Sequence, residues 1–226
     1  MPKMQHKPTD VVLRPFVRDD FGEIAKLMAR TWLGEFQDTP AITAACLELC
    51  EYLDRSSWAL VAERGDDLLG AVLLDEKGHC EQPDPQLDGW SEAARQIADD
   101  VDESEAAAVR AACEAELGGV AEENALAREF CATGAPESAT AVKLLIIAPE
   151  SCGLGLGRRL LDAAAERVRS IGAAGYYLLT DDACDVGFYD HLGLRQAIRR
   201  RSQASWPSQA APQVDDFCIY VYAREV

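Results

Sequence analysis

The chain has 226 residues, of which 48% are apolar and 27% charged, and this is the composition of an ordinary globular protein long enough for one domain with a sizeable core. Its formal net charge of −17 argues against binding to nucleic acid or to an anionic membrane surface, because both repel an acidic protein. No apolar run approaches the roughly 18 residues of a membrane-spanning helix, and the start of the chain lacks the apolar centre of a secretory signal, so we expect a cytoplasmic protein.

The first third of the chain alternates between strand-like and helix-like patterns. We predict a strand over residues 10–17, helices over 20–33 and 39–54, and a hairpin of two strands, 58–63 and 68–74, around the turn sequence Arg-Gly-Asp-Asp. The first helix has apolar residues at three- and four-residue steps, and the second begins with Thr-Pro, a pair that favours a helix N-terminus.

Residues 76–140 carry most of the negative charge. They contain 16 Asp and Glu residues against 4 Lys and Arg residues, which is −12 of the total of −17. Apolar residues at helical spacing predict helices around Trp90, Val109 and Phe130, with the second ended by the glycine pair at 118–119. We predict that this segment is an acidic helical insertion, with two or three helices docked on the core.

A strand–helix–strand pattern follows this segment. A strand over 142–148 stops at Pro149, and a glycine-rich turn leads into an amphipathic helix and then a second strand over 175–181. Two strands joined in this way pair in parallel, and we expect them to diverge beyond their paired region and leave a cleft. A short helix and two further strands complete the chain, over 184–192, 194–201 and 217–223.

The turn before the helix has glycine at every second position, Gly153, Gly155 and Gly157, followed by Arg158. The first turn of a helix has amide N–H groups without intrahelical partners and a partial positive charge, and glycines let a phosphate approach closely. The spacing matches neither the dinucleotide-binding fingerprint nor the P-loop. The pattern indicates an anion site, with tight strand–helix packing as the structural alternative.

The cysteines and histidines do not form a metal-binding pattern. None of the eight cysteines belongs to a Cys-x-x-Cys pair, and the three histidines do not cluster with them. We therefore predict no metal site and reduced thiols.

Two stretches resemble the GNAT superfamily of N-acetyltransferases. The sequence Gly-x-Gly-x-Gly-Arg after a strand ending in Ala-Pro-Glu is similar to the family's acetyl-CoA pyrophosphate loop, although Cys152 stands where the family usually has Gln or Arg. Residues 187–193, Gly-Phe-Tyr-Asp-His-Leu-Gly, are similar to the family's Phe-Tyr-x-x-x-Gly segment. The resemblance is good over 140–226, looser over 10–75 and absent over 76–139.

The resemblance implies an α/β (α+β) fold, with a central mixed, mostly antiparallel twisted sheet and helices on both faces. Residues 1–226 would form a single N-acetyltransferase domain that contains the insertion at 76–140. The cofactor would be acetyl-CoA, and its pyrophosphate would lie on the amide groups of the loop: Gly153, Leu154, Gly155, Leu156, Gly157 and Arg158.

Several further site residues follow from the same resemblance. The pantetheine arm would add, like a strand, to backbone groups of Leu145 and Ile147. Asp182 stands where the family often has an asparagine that binds this arm, but an ionised carboxylate cannot donate a hydrogen bond. Tyr189 corresponds to the tyrosine that protonates the departing CoA thiolate. A phenol with a pKa of about 10 is protonated at neutral pH and suits this task.

The acceptor side is less defined. By resemblance, Trp32, Glu35 and Phe36 are candidates to face the substrate, with core packing or solvation as the alternative. The strand over 142–148 has no carboxylate where many members place a glutamate, so the general base is left open between Glu35, Asp181 and a water molecule.

These features predict an acetyl-CoA-dependent N-acetyltransferase that acts on a primary amine, by direct attack in a ternary complex. The acceptor would be a small molecule or a peptide. One hypothesis is that the acidic insertion attracts a cationic acceptor, and the alternative is that its charge only keeps a helical lid or a dimer face soluble. Two alternatives remain open, a CoA-binding module without turnover and an interaction module that works through the acidic helices. The sequence leaves the oligomeric state open, a homodimer included.

Overall fold

The computed structural model describes residues 11–32, 39–77, 79, 84–203 and 217–226. Within these residues, seven strands form one sheet in the order β1-β2-β3-β4-β5-β7-β6. The strands are β1 Val12–Pro15, β2 Trp58–Arg64, β3 Asp67–Asp75, β4 Ala141–Ile147, β5 Gly175–Asp181, β6 Arg195–Arg201 and β7 Cys218–Glu225. All neighbouring pairs are antiparallel except β4 and β5, which confirms the predicted mixed and mostly antiparallel sheet.

Helices cover both faces of this sheet, as predicted. They are α1 Phe21–Trp32, α2 Thr39–Asp54, α3 Trp90–Asp99, α4 Ala106–Ala132, α5 Leu156–Ser170 and α6 Val186–His191. Because side chains alternate between the two faces of a strand, neighbouring residues of β4 contact different helices. Leu144 belongs to the buried cluster beneath α1, α2 and α3, whereas its neighbour Leu145 packs against the cluster beneath α5. Helix α4 covers the sheet over β5 and β7, on the same face as α1, α2 and α3.

Helix α5 forms because its apolar residues recur on one side of the helix. All six lie within the core and are at most 2% exposed: Leu156, Leu160, Leu161, Ala164, Ala165 and Val168. Full burial of a leucine side chain stabilises a fold by about 1.5–3 kcal/mol, so this stripe holds the helix and its N-terminal turn firmly on the sheet.

The prediction for the acidic segment is wrong in one respect. Gly118-Gly119 does not end a helix, because α4 runs without interruption from Ala106 to Ala132. A glycine in a helix interior costs only about 1 kcal/mol relative to alanine, and packing exceeds this cost. Leu126 and Phe130 are almost fully buried against the sheet, and the middle of α4 runs beside α2.

Buried carboxylates tie both ends of the acidic segment to the core. Glu76 is fully buried and accepts a hydrogen bond of 2.5 Å from Nε of Arg167 on α5. Glu137 is 3% exposed and accepts a hydrogen bond of 2.5 Å from Arg195 on β6. A buried carboxylate requires such a partner, so these two pairs fix where the segment leaves and re-enters the sheet.

Two general features of the described residues concern membranes and thiols. None of the helices among them combines the length and the apolar character needed to cross a bilayer. The cysteines at described positions are free thiols.

Candidate active site

The glycine turn lies between the end of β4 and the start of α5. After β4, Pro149–Ser151 form one turn of 3-10 helix. Gly153 and Gly155 follow with φ of +81° and +72°, a left-handed conformation that glycine adopts at little cost. Gly155 is the N-cap residue of α5 and supplies no side chain to cap the helix.

The backbone amides of this turn are open to a ligand. Among the described residues, the N–H groups of Gly153 and of the run 155–158 have no hydrogen-bond acceptor. The predicted contribution of the Leu154 amide is wrong, because its N–H already donates to the carbonyl of Ser151 at 3.3 Å. The first intrahelical bond runs from Arg159 N–H to the carbonyl of Gly155. The exposed side chain of Arg158 adds a cation beside these amides. Such an arrangement can bind an anion with several oxygen atoms, such as a diphosphate.

Gly157 has a packing role that the sequence reading missed. A Cβ atom at this position would lie 2.8 Å from Cζ of Phe188 on α6, closer than real contacts allow. Phe188 in turn contacts the ring of Tyr189, with ring centroids 5.2 Å apart. The glycine therefore lets the turn of α5 approach the helix that carries the candidate catalytic tyrosine.

Strands β4 and β5 separate after a short paired region. They pair only at Ala141↔Tyr177 and Val142↔Leu178, so the remaining length of β4 has no β5 partner. A cavity of about 200 Å³ lies where the strands separate. This divergence confirms the predicted parallel pair and cleft, and it leaves the β5-facing backbone groups near Leu145 and Ile147 unpaired with β5.

Tyr189 lines this cavity, and its ring is held in the core. The residue is 9% exposed and packs against Phe188 and Tyr222, whose ring centroid is 5.4 Å away. Helix α6 begins at Asp185, whose side chain accepts a hydrogen bond from Phe188 N–H and thereby caps the helix. Burial, followed by the neighbouring Cys184, raises the pKa of Tyr189, so its hydroxyl keeps its proton throughout the neutral range.

Thr180 on β5 is a second polar group of the cavity, and the sequence reading did not single it out. The residue is 4% exposed, and its hydroxyl has no hydrogen-bond partner among the described residues. A buried polar group left unpaired costs about 1–3 kcal/mol. A polar ligand in the cavity would satisfy it.

Comparison with solved structures identifies this architecture. An IAA acetyltransferase from Bacillus cereus ATCC 14579 has a TM-score of 0.53 at 14% identity, over 96% of this chain and 99% of that chain. Ard1 from Thermoplasma volcanium has a TM-score of 0.52 at 13% identity, over 96% and 98%. A GNAT family acetyltransferase from Elizabethkingia anophelis with acetyl-CoA bound has a TM-score of 0.50 at 10% identity, over 96% and 99%.

The chain has the GNAT acetyltransferase fold. The resemblance found in the glycine turn and around Tyr189 is thus confirmed for the fold. Sequence identities of this size show a shared fold and nothing finer. No family model matches the sequence, and no curated protein matches it either.

The cavity of this GNAT fold extends to the face covered by α1, α2 and α4. Side chains from these helices that line it are Thr31, Trp32, Glu48, Glu51, Tyr52, Val120, Glu123 and Asn124. The predicted substrate-facing residue Trp32 is therefore on the cavity wall, and its substrate contact stays a prediction. Glu35 and Phe36 lie outside the described residues.

The acidic segment contributes to this wall, which the sequence did not indicate. Glu123 on α4 lines the same cavity as Glu48 and Glu51 on α2. The hydroxyl of Tyr52 donates a hydrogen bond of 2.6 Å to Glu48, which orients that carboxylate. The wall opposite the sheet is therefore rich in carboxylates, although the only sequence signal was the overall charge of residues 76–140.

Asp182 has structural partners in this fold. Its carboxylate accepts hydrogen bonds from the N–H of Cys218, at 2.7 Å, and from the hydroxyl of Tyr220, at 2.6 Å. These contacts join the end of β5 to β7. A role of Asp182 in holding a pantetheine arm stays a prediction. Both carboxylate oxygens already accept one hydrogen bond each, so only their remaining lone pairs are open to a ligand.

Asp181, a candidate general base, also lines the cavity. Burial raises the pKa of Asp181, while a hydrogen bond of 2.9 Å from Ala183 N–H opposes this effect. A carboxylate whose pKa is raised toward neutral is a better proton acceptor than an ordinary one, which keeps Asp181 among the candidates.

Proposed function

We propose that the protein is an acetyl-CoA-dependent N-acetyltransferase that acts on a primary amine by direct attack. The proposal rests on one observation above the others: unpaired amide N–H groups surround the N-terminus of α5 next to a β-strand that has lost its parallel neighbour. A diphosphate fits the amides of residues 155–158, and an extended arm fits the open edge of β4.

The residues of the cavity fit the remainder of such a ligand. Thr180 offers a buried hydroxyl without a partner, and Leu145 offers backbone groups on the strand edge. Acetyl-CoA, when bound, supplies an activated acyl group as a thioester. Solved GNAT folds with acetyl-CoA bound, such as that from Elizabethkingia anophelis, support this choice of ligand.

Tyr189 supplies the proton that the leaving thiolate requires. Because burial raises the pKa of Tyr189, the phenol remains protonated at the pH at which a thiol with a pKa near 8.5 leaves. Packing against Phe188 and Tyr222 holds the ring, and with it the direction of the hydroxyl, in one orientation. General acid catalysis of this kind contributes roughly 10²–10⁴ in rate.

The acceptor is proposed to be a cationic amine. Glu48, Glu51 and Glu123 line the cavity on the side away from the glycine turn, and carboxylates attract ammonium groups. The same carboxylates disfavour loss of a proton from the amine, so a proton acceptor such as Asp181 is needed to generate the neutral nucleophile.

Binding and turnover test this proposal separately. Calorimetry with acetyl-CoA should show saturable binding. The substitution Arg158→Ala should weaken this binding, because the guanidinium lies beside the open amides. Release of free thiol over a panel of amines should then reveal turnover. The absence of binding would exclude the function, whereas binding without turnover over a broad panel would indicate a CoA-binding module.

A further inference from the structure

Lys143 occupies a distinctive place in the sheet. The register of β3 and β4 shifts between Leu73↔Leu144 and Leu74↔Val142, so Lys143 is an extra residue in a β-bulge. The last pair between β4 and β5 is Val142↔Leu178. Lys143 is therefore the first residue of β4 beyond the point where the two strands separate.

Lys143 lines the cavity together with Tyr189 and Thr180. It is the one basic residue among the described residues that form the cavity wall. Within the part of the chain that the structure describes, its Nζ makes neither a hydrogen bond nor an ion pair. Lys143 is half-buried, and a cationic amine that has lost part of its hydration in a cleft without a hydrogen bond or an ion pair calls for an explanation.

The surroundings of Lys143 destabilise its protonated form. Burial lowers the pKa of Lys143, and the charge of Arg55 acts in the same direction, while Asp75, Glu123 and Glu51 oppose them. An exposed lysine is neutral to only about 1 part in 10³ at pH 7, and a lowered pKa increases that fraction. Neutral lysine in a desolvated pocket is a good nucleophile.

We propose that the protein acetylates its own Lys143, at the bulge of β4, from the acetyl-CoA that it uses for transfer. This inference rests on the proposed function, because the acyl group must lie in the cavity that Lys143 and Tyr189 share. Fixing the amine on the cavity wall replaces a bimolecular encounter by an intramolecular one, which favours reaction even with a modest nucleophile.

The reaction balances without an added oxidant or reductant. The lone pair of Lys143 Nζ forms a bond to the acetyl carbonyl carbon, and the bond from that carbon to sulfur breaks. The thiolate takes one proton, for which Tyr189 is placed, and the new amide nitrogen gives up its surplus proton to a carboxylate or water. The products are Nε-acetyl-lysine and free CoA.

Acetylation would change the acceptor side of the cavity. It removes the one positive charge among the described residues of a cavity wall that also contains Glu48, Glu51 and Glu123. Because the wall would then be purely acidic, KM for a cationic amine should fall. The substitution Lys143→Gln, which also removes the charge, should reproduce this fall in the unmodified protein.

The direct test is peptide mapping by mass spectrometry after incubation of the full chain with acetyl-CoA. We expect a mass gain of one acetyl group at Lys143, at least about tenfold faster than at Lys26, an exposed lysine paired with Glu23 on α1. Tyr189→Phe should slow the reaction at Lys143 and leave the slow background at Lys26 unchanged. A good acceptor amine should also slow it, because both amines require the same thioester.

A second readout is independent of turnover. CoA without an acetyl group should protect Lys143, and not Lys26, from brief labelling by acetic anhydride. Binding and transfer to amines without modification of Lys143 would overturn the inference and leave the proposed function intact. Equal modification of Lys143 and Lys26 would also overturn it, whereas failure of acetyl-CoA to bind would remove both.

Discussion

The two parts of the Tyr189 side chain have different roles: the ring packs in the core, and the hydroxyl is proposed to donate a proton. The ring contacts Phe188 and Tyr222 in the core, and the residue lines the cavity where β4 and β5 separate. Neighbouring Tyr222 has a similar setting, but its hydroxyl donates a hydrogen bond of 2.8 Å to Asp190. The two tyrosines therefore form a matched pair in which one hydroxyl is proposed to react and the other is not.

Tyr189→Phe should lower kcat by roughly 10²–10⁴ while acetyl-CoA binding and the melting temperature change little, because the ring packing is retained. Steady-state thiol release and calorimetry provide the two measurements. Tyr222→Phe is the control and should retain nearly full activity. Equal losses in both variants would mean that the tyrosine acts through packing alone.

Asp181→Asn should stabilise the protein at neutral pH. Because burial raises the folded-state pKa of Asp181, the fold disfavours its ionised form. The side chain's contribution to stability is fully present below the unfolded pKa of about 3.9 and is lost as pH rises through the folded value. Asparagine avoids this loss and can still accept the Ala183 N–H.

Urea denaturation at a pH of about 8 and again near 4 tests this sign. The free energy of unfolding should be higher for Asp181→Asn at the higher pH, and the difference should shrink at the lower one. Asp66→Asn, in the exposed hairpin turn, should show neither effect. A lower stability of Asp181→Asn at the higher pH would contradict the proposed penalty.

At the scale of elements, the turn between β4 and α5 and the packing of α5 on the sheet form one unit. The turn presents amides, and the buried stripe of α5 fixes where they point. Helix α5 is also joined to the end of β3 through the pair Arg167–Glu76. A substitution in the turn can therefore change both the affinity for the ligand and the stability of the fold.

Gly155→Ala should weaken acetyl-CoA binding and destabilise the fold by about 1–2 kcal/mol, because alanine is strained at a φ of +72°. Gly134→Ala is a matched control, since Gly134 has a φ of +69° and equally open surroundings at the end of α4. Both variants should lose similar stability, but only Gly155→Ala should lose affinity. Equal affinities would argue against a phosphate at the turn.

Arg167→Ala should lower the free energy of unfolding by about 3 kcal/mol, because it leaves the fully buried carboxylate of Glu76 without this cation. Arg169→Ala, two residues later and exposed, should cost less than about 0.5 kcal/mol. Thermal and urea unfolding of both variants provide the comparison. Similar losses for the two would show that the buried pair contributes nothing specific.

At the scale of the whole molecule, charge is distributed unevenly. Residues 76–140 hold −12 of the total charge of −17, and their long helix α4 places Glu123 on the cavity wall opposite the sheet. The acidic segment thus contributes to the cavity wall as well as to the surface, and this is the physical basis for the cationic acceptor that we propose.

For a diamine acceptor, kcat/KM should fall by about tenfold between low and high salt, because screening removes the attraction of the acidic wall. A weakly basic aromatic amine, uncharged at neutral pH, should show little change. Glu123→Gln should reduce the salt effect for the diamine alone. A salt response that is the same for both amines would remove the electrostatic explanation.

Much of the fold could be read from the sequence because the patterns were local. The short apolar runs of the hairpin, the stripe of α5 and the Pro149 stop each fix a short element without help from distant residues. The glycine turn could also be predicted from the sequence, since a left-handed φ and a close approach of a ligand to the backbone both favour glycine. Gly118-Gly119 was misread because packing of α4 against the sheet outweighs a local helix preference.

The sequence by itself determined the order of the elements, the parallel pair β4–β5 and the position of the glycine turn, all of which depend on residues close together in the chain. The family resemblance, in turn, singled out Tyr189 as the candidate proton donor. Only the tertiary structure brought Lys143, Thr180 and Glu123 into one cavity. These residues come from β4, β5 and α4, and the sequence pattern of one element does not show which other elements it packs against. Burial and missing partners arise from long-range packing, so the chemistry that they suggest becomes visible only in the folded chain.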